Sequence, residues 1–149
     1  VRVGAWGADV KASPDVLAWR QNGPLVIENG QINPHTADVT SHDWGIILNG
    51  VTAVWRSGIG ISTDGRTLYY VAGNSLSLPM LVRTLAATGA NAALQLDINI
   101  GMVHFDAMRS TPTGLVPTPL FNSMQSQHDD RFLTSDKRDF FYVTTNAGT

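Results

Sequence analysis

The residue best placed to do chemistry is Asp97. It follows the apolar run 92–96, sits between Leu96 and Ile98, and is followed by a second polar residue, Asn99. Polar groups at the carboxyl end of a buried strand are where open α/β sheets hold their ligands. A carboxylate between apolar neighbours is costly without partners, so Asp97 is either a working acid or a cap on nearby backbone. Acid/base work can use two carboxyl groups in different environments, and Glu28 and Asp106 are candidate partners for Asp97. Arg56 ends the aromatic segment Val54-Trp55 and leads into Ser57-Gly58. Its planar fork suits a two-pronged grip on carboxylate or phosphate, and a structural pair with an acid is the alternative. Glu28 lies in an Asn-Gly turn and Asp64 in an Asp-Gly turn. Turn chemistry accounts for Asp64 in full.

Other chemistries are poorly served. The four histidines (His35, His42, His104 and His128) lack the close helical spacing of a zinc site, and His104 is of interest only for lying near Asp97 in sequence. Gly58-Ile59-Gly60 is half a dinucleotide fingerprint, with Thr63 where a glycine is needed. Glycine inside a strand signals instead that another backbone or a ligand comes close. No Gly-x-Ser-x-Gly elbow occurs, and there is no cysteine, which removes thiolate chemistry and Cys–zinc sites. The pattern names no metal and no cofactor.

The bulk composition sets the frame. With 149 residues, 43% hydrophobic and 15% charged, one folded domain is expected. A net charge of −2 with scattered Lys and Arg gives no footprint for nucleic acid. No apolar run approaches the ~20 residues of a membrane span.

The elements that position Asp97 form one stretch. Leu78, Leu81, Val82 and Leu85 make a helical face, with Ser77 as cap, Pro79 tolerated in the first turn, and Gly89 supplying the left-handed end. The spacing predicts a helix over Leu78–Ala87 and a buried strand over 92–96. Leu25–Ile27 and Gln31–Ile32 flank Glu28-Asn29-Gly30 as a hairpin. Further strands are expected over 1–6, 44–48, 52–61, 68–71, 102–105 and 140–144. A short helix is expected over 13–19, capped by Ser13 with Pro14 at its first position, and a turn over 20–24. Residues 33–43 read as a loop. Residues 107–139, with Pro112, Pro117 and Pro119, read as a long ordered excursion. The crossover from strand 68–71 through the helix to strand 92–96 predicts two parallel strands, right-handed. The fold class is α+β: a mixed β-sheet with few helices.

Arg56-Ser57-Gly58-Ile59-Gly60-Ile61, Asp64-Gly65, the helix, Gly89-Ala90 and 92–97 together resemble the phosphodiester glycosidase family. Arg56 matches the arginine of its Arg-Thr-Ala-(Ile/Val)-Gly strand, and Leu96-Asp97 match the Leu-Asp of its Asn-Leu-Asp-Gly-Gly-Gly-Ser motif. Arg138 looks like the arginine before its last strand, and 25–30 like its hairpin. The likeness runs from residue 25 to 144. Two departures stand out. Ile98, Asn99, Ile100 and Gly101 replace the glycine run, giving a divergent Leu-Asp-Ile-Asn branch. The upstream Asn-Gly-Gly-Phe segment has no counterpart, which makes these residues resemble the C-terminal part of a larger domain, completed by upstream residues or a separate chain.

The resemblance implies a secreted or cell-envelope hydrolase of a sugar phosphodiester or related glycan. Asp97 is then the acid/base, Arg56 and Arg138 hold the anionic group, and Asn99 and Glu28 are further substrate contacts. A non-catalytic glycan-binding domain and a structural domain of a surface assembly are the rival classes.

Overall fold

A computed structural model describes residues 1–127, 131–135 and 139–144. The chain divides into two units, Val1–Val103 and His104–Thr149. The first is built on a five-stranded sheet with strand order β2-β1-β5-β3-β4. Strands β1 (Leu25–Glu28) and β2 (Gln31–Ile32) form the expected hairpin. Its turn has positive φ at both Asn29 and Gly30, the geometry that matches strand twist. β3 (Val54–Ile61) and β4 (Leu68–Leu76) form a second hairpin, closed by a turn in which Asp64 accepts from Ser62 Oγ and Arg66 N. β4 runs on past residue 71 because a register shift opposite 54–56, with Ser75 at φ 57°, absorbs the extra residues.

Helix α1 spans Leu78–Ala87, with the Ser77 side chain accepting from Met80 N and Gly89 in the left-handed region. It packs Leu78, Leu81, Val82 and Leu85 against Val26, Ile27, Trp44 and Ala93. Gly58 and Gly60 of β3 make this approach possible. A Cβ on Gly58 would lie 2.9 Å from Leu85 Cδ1, and one on Gly60 2.8 Å from the Ala90 Cβ. The close neighbour anticipated at these glycines is therefore the helix and its following turn. Strand β5 (Ala92–Ile98) is central, between β1 and β3.

The architecture is α+β with one α-helix among the described residues, and the expected mixed sheet is corrected in one respect. Every strand pair in the five-stranded sheet is antiparallel. β4 and β5 do run parallel, as the crossover required, but β3 lies between them and opposes both.

Several local expectations fail for identifiable reasons. Residues 1–6 form no strand: Asp9 accepts from Ala5 N, and Trp6 bridges only to Val10, a side-chain alternative that competes with the ladder. Residues 13–19 form a turn and no helix. Leu17 is 97% exposed and Trp19 is exposed too, and a helix this short needs a buried face. The strand over 44–48 is replaced by 3-10 turns at His42–Trp44 and Leu48–Gly50, with Gly45 at φ 85° interrupting extension.

The second unit contains a hairpin, β6 (Asp106–Thr111) with β7 (Gly114–Pro119), within the stretch expected to be a long ordered excursion, and residues 102–105 form no strand. Leu120 N donates to Phe105 O, so Pro117 and Pro119 have their nitrogens on the open edge, where the missing donor costs no ladder bond. Residues 140–144 carry no strand pairing. β-branched and aromatic composition favours a pleated, half-buried surface, and here Tyr142 and Val143 are exposed.

Candidate functional site

Asp97 stands at the carboxyl end of the central strand. Its side chain is 43% exposed, and Oδ1 lies 3.9 Å from Arg20 Nη2, on a side chain 25% exposed. Ser57 Oγ donates to the Asp97 carbonyl at 3.2 Å. Tyr70 joins the group. Burial pushes its phenol up to about 12, with the Asp97 charge adding to the rise and a hydrogen bond with Ser57 opposing it. An acid, a cation and a phenol that stays protonated therefore share one side of the sheet.

Arg56 is on the other side. Consecutive strand residues point to opposite faces, so Arg56 turns away from Ser57, toward the face on which α1 packs. The side chain is 2% exposed. Nε donates to Leu76 O at 3.0 Å, Nη1 to Gln95 Oε1 at 2.6 Å, and Nη2 weakly to Thr52 O at 3.4 Å. Among the described residues it bonds no carboxylate. Burial lowers its pKa, yet a guanidinium remains charged. Gln95 Nε2 passes the connection on to Trp44 O at 2.7 Å. The chain Arg56–Gln95–Trp44 ties β3 and β5 to the loop before β3.

Asn99 is also committed to backbone. Its φ is 75°, Nδ2 donates to Ile46 O, and Oδ1 accepts from Leu48 N. The divergent Ile98-Asn99-Ile100 segment is thus a clasp for loop 46–48, with Ile100 projecting into solvent.

Glu28 sits at the opposite end of β5. The adjoining Gly30 N donates to Asn91 O, just before that strand begins. Five residues of strand, about 16 Å, separate that end from Asp97, well beyond the ~5–9.5 Å of a glycosidase carboxylate pair. Asp106 belongs to the second unit. There its Oδ2 lies 2.9 Å from His104 Nε2, both side chains are buried, and among the described residues His104 Nδ1 and Asp106 Oδ1 have no hydrogen-bond partner. Arg138 and His128 lie outside the described residues. Among the described residues no three His, Asp or Glu side chains gather as a metal site, and no helix is long and apolar enough to cross a membrane.

No family model and no curated protein matches this chain. The site must therefore be judged on its own geometry. The chain brings Asp97 together with Arg20, Ser57 and Tyr70, three residues that sequence spacing did not single out. Arg20 fell in an apparent turn, and Tyr70 in an apolar strand segment. Only the alternation of β3 and β4 side chains, once their register is known, puts Ser57 and Tyr70 on the face of Asp97.

Proposed function

We propose that this chain is a hydrolase of a sugar phosphodiester or related glycosidic bond in an extracellular or cell-envelope glycan, with Asp97 as its acid/base. The observation that supports this most is a partly exposed carboxylate at the end of the central strand, flanked by Arg20 and a protonated Tyr70. One carboxylate is enough for a phosphate-linked sugar. The leaving group is a phosphate monoester, whose second pKa is about 6, so it departs without a separate protonating acid. Asp97 accepts a proton from water, the water oxygen bonds to the anomeric carbon, and the bond from that carbon to the phosphate oxygen breaks. The resemblance also assigns Arg138 to the anionic group.

A second reading, a glycan-binding domain without turnover, has its own support. A cavity of about 230 Å3 lies among Asn22, His42, Asp43, Trp44, Gln95 and Ile98, with no Lys or Arg in its wall. Its charge suits a neutral sugar ring and not a phosphate.

The test is Asp97→Asn on a sugar 1-phosphate esterified to 4-nitrophenol, with release of reducing sugar as the readout. Turnover should fall at least about a hundredfold, the low end for losing acid/base help. The melting temperature should barely move, because an exposed pair contributes about 0–1 kcal/mol. Full turnover by folded Asp97→Asn would refute the assignment. A wild-type protein that binds glycan but never turns over would establish the second reading.

A further inference from the structure

We propose that the outer edge of β6 is a self-association surface, where β6 of a second copy of this chain adds as an antiparallel strand. The inference stands apart from the hydrolase reading and involves neither Asp97 nor its neighbours. β6 and β7 form a sheet of two strands, and residues 107–110 and 112–116 are all exposed. A two-stranded hairpin is marginal in water by itself, and a further strand is the usual remedy. Its two edges are not equally open. Leu120 N donates to Phe105 O, and Thr111 pairs with Gly114 across the turn. Bonded and non-bonded positions alternate along an antiparallel pair, so Ala107, Arg109 and Thr111 bond to β7 while Asp106, Met108 and Ser110 turn their N–H and C=O outward. On β7 the outward positions are Leu115, Pro117 and Pro119. Two of these lack the donor, which closes that edge to another strand. On β6 all three donors and all three acceptors remain, and among the described residues none of these backbone groups is hydrogen-bonded.

The sequence of this edge fits its own copy. A two-fold axis through Met108 sets Met108 against its counterpart, Asp106 against Ser110 and Ala107 against Arg109. No like charges then face each other, an opposition that would destabilise the pairing. The three outward residues of each copy exchange backbone hydrogen bonds in both directions. An axis through Arg109 would set arginine against arginine, and one through Ala107 would set Ser110 against His104, outside the strand. The side chains favour the same axis. Met108 shares a face with Leu115 and Pro117, and Met108 and Leu115 are 38% and 51% exposed. Pairing about Met108 joins them into one apolar stripe across both hairpins. The edges left over are the two proline-blocked β7 strands, so assembly closes at the dimer.

The chain has no cysteine, so a single introduced thiol reports the axis. Directly opposed Cα atoms in a bonded antiparallel pair are about 5.5 Å apart, within the ~4.4–6.8 Å that a disulfide spans. Under mild oxidation Met108→Cys should yield a covalent dimer, whereas Leu115→Cys, exposed on the other strand, should not. Sedimentation velocity should show a wild-type dimer. Met108→Pro removes an N–H that serves no bond to β7, and it does so on both copies. With two hydrogen bonds lost, the dimer should weaken at least about tenfold, with far-UV circular dichroism unchanged. A wild type that stays monomeric at about 1 mM overturns the proposal. So does a dimer as tight in folded Met108→Pro as in the wild type, or one that cross-links through Leu115→Cys and not through Met108→Cys. Should Met108→Pro lose its fold, the wild-type sedimentation and the two cysteine variants decide the question by themselves.

Discussion

Arg56→Met separates a structural arginine from a ligand-binding one. In the folded protein the Arg56 guanidinium makes two short hydrogen bonds, to Gln95 Oε1 and Leu76 O, and one long one to Thr52 O. Methionine keeps the apolar stem but makes none of them. A buried acceptor left without its donor costs about 1–3 kcal/mol. Removing the guanidinium also removes the cost of burying a charge, which offsets part of the loss. With two acceptors stranded, the net destabilisation should be about 2–4 kcal/mol. For a domain near 100 residues, each kcal/mol moves Tm by about 4–8 °C, so the melting temperature should fall by roughly 10–30 °C. Circular dichroism melts measure this directly, and phosphate titration of the protein still folded at low temperature completes the experiment. Arg56→Met should bind phosphate as the wild type does. A variant that melts within about 2 °C of the wild type but no longer binds phosphate would refute the reasoning and restore Arg56 as the grip.

Two further outcomes follow from packing and protonation. Gly60→Ala places a Cβ 2.8 Å from that of Ala90 and 3.3 Å from that of Ala93. These atoms have no rotamer to yield, so stability should fall by about 1–3 kcal/mol in denaturant titration, and a neutral Gly60→Ala would mean the helix turn is looser than described. Tyr70 titrates near 10 in an unfolded chain and at about 12 when folded, so above pH 10 the unfolded chain binds fewer protons and stability falls as pH rises toward 12. Tyr70→Phe should flatten that decline in melts taken between pH 9 and pH 12, whereas an unchanged slope would show that Tyr70 does not contribute it.

The part of the sequence organised by strong local signals was readable. Leu78–Ala87 carries its own cap, its apolar face and its terminating Gly89, and Asn29-Gly30 dictates a hairpin by backbone conformation alone. The placement of Asp97 was readable for the same reason: it follows an apolar run that forms the central strand. Residues 1–6 and 13–19 were misread because their propensities went unsupported by packing, with Asp9 diverting one and an unburied Leu17 abandoning the other. The partners of Asp97 depend on strand register and on a segment some 77 residues earlier in the chain, and neither leaves a trace in local spacing. Arg56 shows the converse. Its surroundings suggested a ligand grip because the neutral acceptors that occupy it, two backbone carbonyls and Gln95, have no sequence signature.

The central position of β5 governs when the site can exist. β1 with β2, and β3 with β4, are hairpins closed by short turns, so each can form from neighbouring residues, on a timescale of microseconds. β5 bonds to one strand of each, and its contacts with β1 span more than sixty residues, the kind of distant pairing that slows folding. Asp97 is the penultimate residue of that strand. Ser57 and Tyr70 lie on the second hairpin, Arg20 lies ahead of the first, and the acid reaches them only as β5 joins the two. A nascent or partly unfolded chain therefore carries hairpins but no assembled acid–cation pair, and the appearance of the site can serve as a reporter that the sheet has closed.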